Sequence, residues 1–459
     1  MNDIPDKGEK RMIQINPREV AAEAMMEIME EGAYNNMALR RLLRQNGAMT
    51  PKDRALVTEI VNGSLRNLYY IDHVIHQFSK IKTEKMKPWV LAVLRTAIYQ
   101  MYFMKTPDSA ACNEAVKLIA ERGLAPLKGF VNGVLRTAAR EKDSIPLPKE
   151  GTVEFLSIQY SHPLWVIKMW LAYFGYEETQ KLCQANNCSP DVTIRTNTLK
   201  IEKALLKKEL EKSGAMVTEG RLAPFAFHLK KTADIGGLKT FKEGLFHVQD
   251  ESSQLAVEIL NPQKGEDIFD LCAAPGGKSF TIAEKMENKG RLICGDIYEH
   301  KMDLISQGAV RLGITIIEPK QQDATVYKKE YDSTFDRVLV DAPCSGLGLM
   351  GKKPDIRLKK NGDEIDYLVP IQRQILENGA RYVKQGGILV YSTCTLCKKE
   401  NEKNIEWFLK DHPDFIGEDI TEFLPQELWQ ETAKKGYITL LPHKSNTDGF
   451  FIAKLKRKG

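Results

Sequence analysis

The 459-residue chain has no apolar run of membrane-span length, which excludes a helical membrane protein. Its start, MNDIPDKGEKRM, lacks the apolar core of a signal peptide. Cysteine is sparse, eight residues with no framework spacing, which argues for reduced thiols and a cytoplasmic location rather than a disulfide scaffold. Histidine is equally scarce at eight and shows no ligand-spaced cluster, so no metal site is expected. Neither sign of charge dominates. Lys and Arg number 66 against 61 Asp and Glu, leaving +5, a balance that permits a nucleic-acid partner without demanding one. Two nucleotide signatures are also missing. There is no GxGxxG fingerprint, and the stretch ending in Gly277-Lys278-Ser279 has Cys272 where a phosphate loop requires glycine.

What is present exceeds one hydrophobic core, so two or three domains are expected. From Pro17 to about Arg140 the apolar spacing is helical, as in Val90, Val93, Leu94, Ala97, Ile98 and Met101, which predicts an all-α bundle. Thr50-Pro51-Lys52-Asp53 reads as a helix opening, and Lys105 to Ser109 ends one helix and begins the next. Arg40, Arg41 and Arg44 can touch phosphate, although such a run more simply makes a solvated face. The Pro/Gly-containing stretch Ser144 to Gly151 marks a boundary. Thr152 to Asn187 returns to helix, with Trp165, Met169, Leu171 and Phe174 as expected core. Strand-like VTIRTNTL (192–199), an amphipathic helix ending at Gly214 and strand-like FAFHLKK then predict a small α+β connector domain. Arg195, Lys200, Lys207, Lys208, Lys230 and Lys231 give it positive charge suited to RNA, though any one lysine is more simply solvated. From Phe246 onward strands alternate with helices, which predicts a parallel sheet. The expected domains are 13–143, 152–240 and 241–459.

The last domain is organised around DLCAAPGGKS, Asp270 to Ser279, set between an apolar strand and a helix-like segment from Phe280 to Met286. Such a turn lets backbone N–H groups hold a ligand. Asp296 ends the next strand twenty residues beyond Gly276, the spacing at which a carboxylate takes the ribose hydroxyls of an adenosine-containing cofactor. Asp323 follows the strand-like run Ile314 to Ile317, and Asp341 ends the strand Arg337 to Val340. Two thiols sit at further strand ends, Cys344 in DAPCSG and Cys394 in YSTCT. A thiolate that adds to carbon-6 of a pyrimidine turns carbon-5 into a nucleophile, and a base must later remove the carbon-5 proton so that the thiol can leave. Cys394-Thr395-Leu396-Cys397 is formally CxxC, but a second ligand pair for zinc is missing. Cys272 and Cys294 lie in or beside apolar strands, where inert thiols are usual.

The loop, the acids after successive strands and DAPCSG together resemble S-adenosylmethionine-dependent methyltransferases of the class I, Rossmann-like fold. DLCAAPGGKS, DAPCSGLG followed by KKPDIR, YSTCT followed by ENE, and DGFF are similar to the Nop/Sun family of RNA cytosine-5 methyltransferases. PDSAACNEAVKLIAERG and KGFVNGVLR, the latter with a turn-competent Asn-Gly, resemble the NusB-like RNA-binding domain, and that start points to the bacterial RsmB-like branch acting on 16S ribosomal RNA. The resemblance implies Cys394 as nucleophile, Cys344 as the cysteine that helps release product, and Asp341 near nitrogen-3 of the cytosine. It also implies that Cys272, Ala273, Ala274, Pro275, Gly276, Gly277, Lys278, Asp296, Asp323 and Asp341 hold S-adenosyl-L-methionine. Chain reading alone leaves the nucleophile open, since the Pro-Cys motif of DNA cytosine methyltransferases nominates Cys344. The expected partner is ribosomal RNA before full subunit assembly, with no membrane and no obligate protein partner. Transfer RNA with the same chemistry, and a non-catalytic assembly factor, are the competing readings. The basic stretch LGLMGKKPDIRLKK beside the site is expected to meet RNA phosphates.

Overall fold

The computed structural model describes residues 15–230 and 235–459, in two compact units, Met1–Ser161 and His162–Gly459. Residues 13 and 14 of the expected first domain, and Lys231, lie outside the described residues. Among the described residues no helix is long and apolar enough to cross a membrane.

The first unit is helical: α1 (Pro17–Glu30), α2 (Asn35–Gln45), α3 (Pro51–Arg66), α4 (Leu68–Phe78), α5 (Pro88–Tyr102), α6 (Asp108–Glu121), α7 (Lys128–Arg140) and α8 (Val153–Gln159). Helix α5 is apolar nearly all round, so it must be surrounded. It packs on α1, α3, α4, α6 and α7, and buries every residue from Trp89 to Met101. The charge it carries inward, Arg95, meets both oxygens of Asp72 at 2.8 Å. Thr50 opens α3 by accepting the Asp53 N–H at 3.2 Å, with Pro51 at the first helical position. Two of the Asn-Gly pairs are not turns. Asn132-Gly133 lies inside α7 and Asn62-Gly63 inside α3, because tertiary packing overrides local turn preference. At Gly63 an added Cβ would stand 1.9 Å from Tyr99 Cζ. Glycine there lets the α5 tyrosine cross α3 and donate to Glu59 Oε1 at 2.6 Å. Arg40 and Arg44 are exposed, while Arg41 pairs with Glu27.

The second unit begins with α9 (Leu164–Asn187), broken at Gly175, where φ is +77°. Val166, Ile167 and Trp170 fill its core, whereas the expected Trp165, Met169, Leu171 and Phe174 are only half-buried. The segment is apolar on every side before Gly175, so spacing alone does not mark the buried face. Strands β1 (Val192–Thr196), β2 (Met216–Glu219), β3 (Ala226–Lys230) and β4 (Phe246–Val248) form an antiparallel sheet in the order β2-β3-β1-β4. Helix α10 (Lys203–Lys212) closes its core with Leu206 and Leu210, and α11 (Lys239–Lys242) is a single turn before β4. Phe246 therefore belongs to this sheet and not to the parallel one.

The supply of positive charge expected from this region is largely committed to the fold. Arg195 is wholly buried, its Nε 2.8 Å from Glu284 Oε2 and its Nη1 3.3 Å from Glu258 Oε1. Lys200 donates to the carbonyls of Glu243 and Arg311 at 2.9 and 2.7 Å. Lys207 and Lys230 face Glu219 and Asp191 at 3.8 and 3.6 Å. Lys208 is exposed.

The large sheet contains β5 (Asp267–Asp270), β6 (Arg291–Asp296), β7 (Ile317–Gln321), β8 (Phe335–Asp341), β9 (Val383–Thr393), β10 (Phe415–Gly417), β11 (Tyr437–Leu440) and β12 (Phe450–Arg457). Its order is β10-β12-β9-β8-β5-β6-β7, with β11 also on β12. Strands β5 to β9 run parallel, and β12 returns antiparallel to β9. The helices in this region are α12 (Glu251–Leu260), α13 (Gly277–Lys285), α14 (Glu299–Leu312), α15 (Ile356–Lys359), α16 (Asp363–Tyr382) and α17 (Glu402–Asp411). Strand β7 starts three residues later than the apolar run suggests, because Gly313 at φ +76° ends α14 and the Ile314 amide still bonds back to Ala309 O at 2.9 Å. Chain order reverses between β5 and β8, which makes a crevice at the carboxyl ends of these strands.

Candidate active site

The loop after β5 is pinned to both neighbouring strands: Leu271 N–H reaches Leu339 O at 3.0 Å, and Ala273 N–H reaches Gly295 O at 2.7 Å. The Ala274–Pro275 peptide is cis, and Gly276 at φ +106° turns the chain into α13. A Cβ at Gly276 would meet Phe280 Cζ at 2.5 Å, so both the backbone and the space require glycine. Helix α13 begins at Gly277, earlier than the expected Phe280, and this puts Lys278 and Ser279 in its first turn. Ser279 Oγ donates to Asp270 Oδ2 at 2.7 Å. Burial pushes the Asp270 carboxyl up to about 7, against the Ser279 bond and with the help of Asp341.

Lys278 leaves the loop and stands 2.7 Å from Asp341 Oδ2, with its ammonium 5.1 Å from the centre of the Phe450 ring. Burial opposes its charge, but the Asp341 and Asp270 carboxylates outweigh burial and raise its pKa above the usual lysine value. Ser392 Oγ donates to the other Asp341 oxygen at 2.8 Å, so both oxygens are held. Cys344 lies three residues past β8 and Cys394 one residue past β9, and their sulfurs are 3.3 Å apart. Gly348 N–H holds Cys394 O at 3.0 Å, and Gly449 N–H holds Gly348 O at 2.9 Å. A Cβ on Gly348 would stand 1.9 Å from Gly449 O, so glycine allows the loops after β8 and before β12 to touch. The contact with Cys394 pushes the Cys344 thiol well up, and burial and then Glu400 add to it.

A cavity of about 520 Å³ opens on the same edge, lined by Cys272, Ala274, Asp296, Asp323 and Asp341 among the expected residues. Ala273, Pro275, Gly276, Gly277 and Lys278 form the turn beside it and are not in its wall. Sequence reading missed Tyr298, Gln322, Thr325, Tyr367, Ile371 and Ile375, which are also in the wall. Tyr298 could have been found, since it stands two residues past Asp296 at a strand end, whereas Tyr367, Ile371 and Ile375 carry only the i, i+4 spacing of an ordinary helix. Asp296 Oδ1 accepts from Tyr298 N–H at 3.2 Å, and Asp323 Oδ1 from Thr325 N–H at 2.9 Å. Gln322 Oε1 is buried with no hydrogen-bond partner among the described residues. Asp296 and Asp323, two of the three carboxylates in the wall, with the Gln322 amide oxygen and the apolar side chains, suit the hydroxyls, amino group and flat ring of an adenosine moiety.

The basic stretch after Cys344 does not present its charges as expected. Lys352 is clamped between Asp250 and Asp448, the latter at 2.9 Å. Arg357 is buried, donating to Asn187 Oδ1 at 2.8 Å and Asn186 O at 2.9 Å. These cations are committed to contacts within the fold, while Lys353 is exposed. All eight cysteines are free thiols, and burial pushes those of Cys272 and Cys294 well up and that of Cys397 to about 11. Among the described residues no group of His, Cys, Asp and Glu gathers as metal ligands.

Residues 257–456 match the family model described as 16S rRNA methyltransferase RsmB/F, residues 15–140 the NusB family, and residues 162–236 the ferredoxin-like domain of RsmF/B-like methyltransferases. The chain is 40% identical over 451 residues to the probable ribosomal RNA small subunit methyltransferase B of Bacillus subtilis (strain 168), covering 98% of this chain and 100% of that one. Ribosomal RNA small subunit methyltransferase B of Escherichia coli O1:K1 is 31% identical over 447 residues, covering 97% and 99%. Among solved structures, PH0851 matches with a TM-score of 0.81 and 30% identity over 97% of this chain and 100% of that one. A methyltransferase homolog protein from Pyrococcus horikoshii matches at 0.58 and 28% identity, over 67% of this chain and 100% of that one. With relatives this similar along almost its whole length, and with its cavity and paired thiols on the carboxyl edge of the sheet, the chain belongs to the RsmB/F family of 16S rRNA methyltransferases.

Proposed function

We propose that this protein methylates carbon-5 of a cytosine in 16S ribosomal RNA, with Cys394 as nucleophile, Cys344 as the thiol that serves release, and Asp341 at the nitrogen-3 edge of the base. The observation that carries the reading is the pair of sulfurs 3.3 Å apart beside Asp341. A methyl transfer to nitrogen or oxygen needs no enzyme thiol, and two at one centre suit a carbon that must first be activated. The Cys394 sulfur adds to carbon-6 while Asp341, steadied by Lys278 and Ser392, shares a proton with nitrogen-3 and draws electron density into the ring. The contact with Cys394 and burial hold the Cys344 thiol well up, so its S–H is available 3.3 Å from the Cys394 sulfur. When bound, S-adenosyl-L-methionine supplies the electrophilic methyl group. Release then passes the carbon-5 proton to solvent water acting as base, and the freed electron pair re-forms the carbon-5–carbon-6 double bond and expels the Cys394 thiolate, whose charge the Cys344 S–H stabilises.

The loop 272–278 would frame the methyl donor, Asp296 its ribose, and Asp323 and Asp341 the remaining polar edge. The segments 13–143 and 152–240 would serve RNA placement, with 241–459 carrying the chemistry. A base that must leave its stack to reach a recessed thiol is most accessible before the subunit is fully assembled, so the substrate is taken to be 16S RNA in that state, in the cytoplasm. Bisulfite sequencing of ribosomal RNA from a deletion strain tests the assignment: one 5-methylcytosine in 16S RNA should disappear. An unchanged map removes the ribosomal substrate.

A further inference from the structure

Behind the two thiols lies a buried polar cluster that touches neither sulfur. Glu400, one residue before the N-cap of α17, has no exposed surface. Its Oε1 accepts from the Ser345 N–H at 2.8 Å and from Gln372 Nε2 at 3.0 Å. Its Oε2 accepts from Ser345 Oγ at 2.5 Å and Thr395 Oγ1 at 3.1 Å. Gln372 Nε2 also donates to Pro343 O at 3.0 Å, and Asn404 fixes that amide by donating to Gln372 Oε1 at 2.9 Å. The residues on both sides of Cys344, Pro343 and Ser345, are thus held by one carboxylate and one amide.

Asn401 does the same for the other thiol. Thr393 Oγ1 donates to Asn401 Oδ1 at 2.6 Å, and Asn401 Nδ2 donates to Thr395 O at 2.9 Å. The residues flanking Cys394 are therefore tied to the side chain next to Glu400. The Glu400 carboxylate, reaching Ser345 and Thr395 together, ties the two loops alongside the direct Ser345 Oγ–Thr395 Oγ1 contact at 2.7 Å. Six of these residues, Ser345, Gln372, Thr393, Thr395, Glu400 and Asn401, are at most 1% exposed. A dry, satisfied network of this kind specifies one geometry, because each missing bond would leave a buried polar group unpaired.

We infer that Glu400 and Asn401 are positioning residues that set the spacing of the two catalytic thiols, and that this spacing couples attack by Cys394 to release with Cys344. The inference rests on the cytosine-5 reading. Mutual orientation of the thiols is worth having only if both act in one turnover, and displacement of a reacting group by about 1 Å costs on the order of a hundredfold in rate. The Glu400 carboxylate has a second effect. Its buried negative charge helps keep the proton on Cys344, the state in which that thiol can support the departing sulfur.

Two variants test this. Glu400→Gln is nearly isosteric but turns one acceptor toward Ser345 and Thr395 into a donor, and Thr395→Val removes the hydroxyl that meets Glu400 Oε2 at 3.1 Å and Ser345 Oγ at 2.7 Å. On 16S RNA, kcat should fall roughly ten- to a hundredfold in each, with KM for RNA unchanged, while the variants stay folded but melt below wild type. A second readout needs no RNA: in a Cys394→Ser background, the pH profile of Cys344 alkylation by iodoacetamide should move to lower pH when Glu400 is replaced by Gln. Folded variants with wild-type kcat, or an alkylation profile that does not move, overturn the inference. If Glu400→Gln does not fold, Thr395→Val decides through kcat. If Cys344→Ala forms no covalent RNA adduct while the alkylation profile moves, the cytosine-5 reading fails and only the holding of the Cys344 loop by Glu400 stands.

Discussion

Asp270 heads the cofactor loop with its carboxyl fully buried and its pKa pushed from 3.8 to about 7. Between pH 4 and 7 the folded protein therefore binds a proton that the unfolded chain has released, so stability falls as pH rises through that window and the loss is complete above it. A shift of about three units at 1.36 kcal/mol each amounts to about 4 kcal/mol, of which about 2.5 kcal/mol develops between pH 5 and pH 8. Asp270→Asn removes the titration while its amide oxygen can still accept from Ser279. Urea unfolding of both proteins at pH 5 and pH 8 measures the difference, followed by tryptophan fluorescence, to which the second unit contributes four of the five tryptophans. The variant should gain about 2.5 kcal/mol relative to wild type over that interval. A difference that stays constant within about 0.5 kcal/mol refutes the reasoning, because it would mean that Asp270 ionises like an exposed carboxylate.

Arg195→Met should cost roughly 3–5 kcal/mol by stranding Glu284, which is 2% exposed, whereas Arg195→Met with Glu284→Leu should recover most of that in the same unfolding assay. Gly63→Ala drives a methyl into Tyr99 and should lower the stability of the helical unit by about 1–3 kcal/mol, read as an earlier thermal transition by circular dichroism. Asp323→Asn should weaken S-adenosylmethionine binding about ten- to a hundredfold by calorimetry, one to two bonds' worth, with the melting temperature of the unliganded protein unchanged.

Much of the site was legible because parallel strands place their carboxyl ends on one edge, so residues spread from Asp270 to Cys394 converge whatever their separation in sequence. The acids and thiols at strand ends could be identified without knowing which strands are neighbours. What the sequence hid was the fate of its cations. Arg195, Lys352 and Arg357 look like phosphate contacts in one dimension, but each faces carboxylates or carbonyls contributed by segments far along the chain. Lys278 was hidden for a related reason: a lysine in a glycine-rich loop suggests a ligand contact, yet the first turn of α13 aims it across the sheet at Asp341. The strand at Phe246 was assigned to the wrong sheet because strand character carries no record of its pairing partner. Glu400 and Asn401 were visible only as part of a motif, since their role depends on the loops after β8 and β9 meeting α16 behind the thiols.

The covalent bond between protein and RNA tests the central claim most directly. Wild type, Cys344→Ala and Cys394→Ala are each incubated with 16S RNA and S-adenosylmethionine, and denaturing electrophoresis separates adduct from free protein. Cys344→Ala should accumulate an RNA-bound species, because addition at carbon-6 proceeds and departure of the sulfur stalls. Cys394→Ala should form none and transfer no methyl group. An adduct in Cys394→Ala that is absent from Cys344→Ala would contradict the account and make Cys344 the nucleophile.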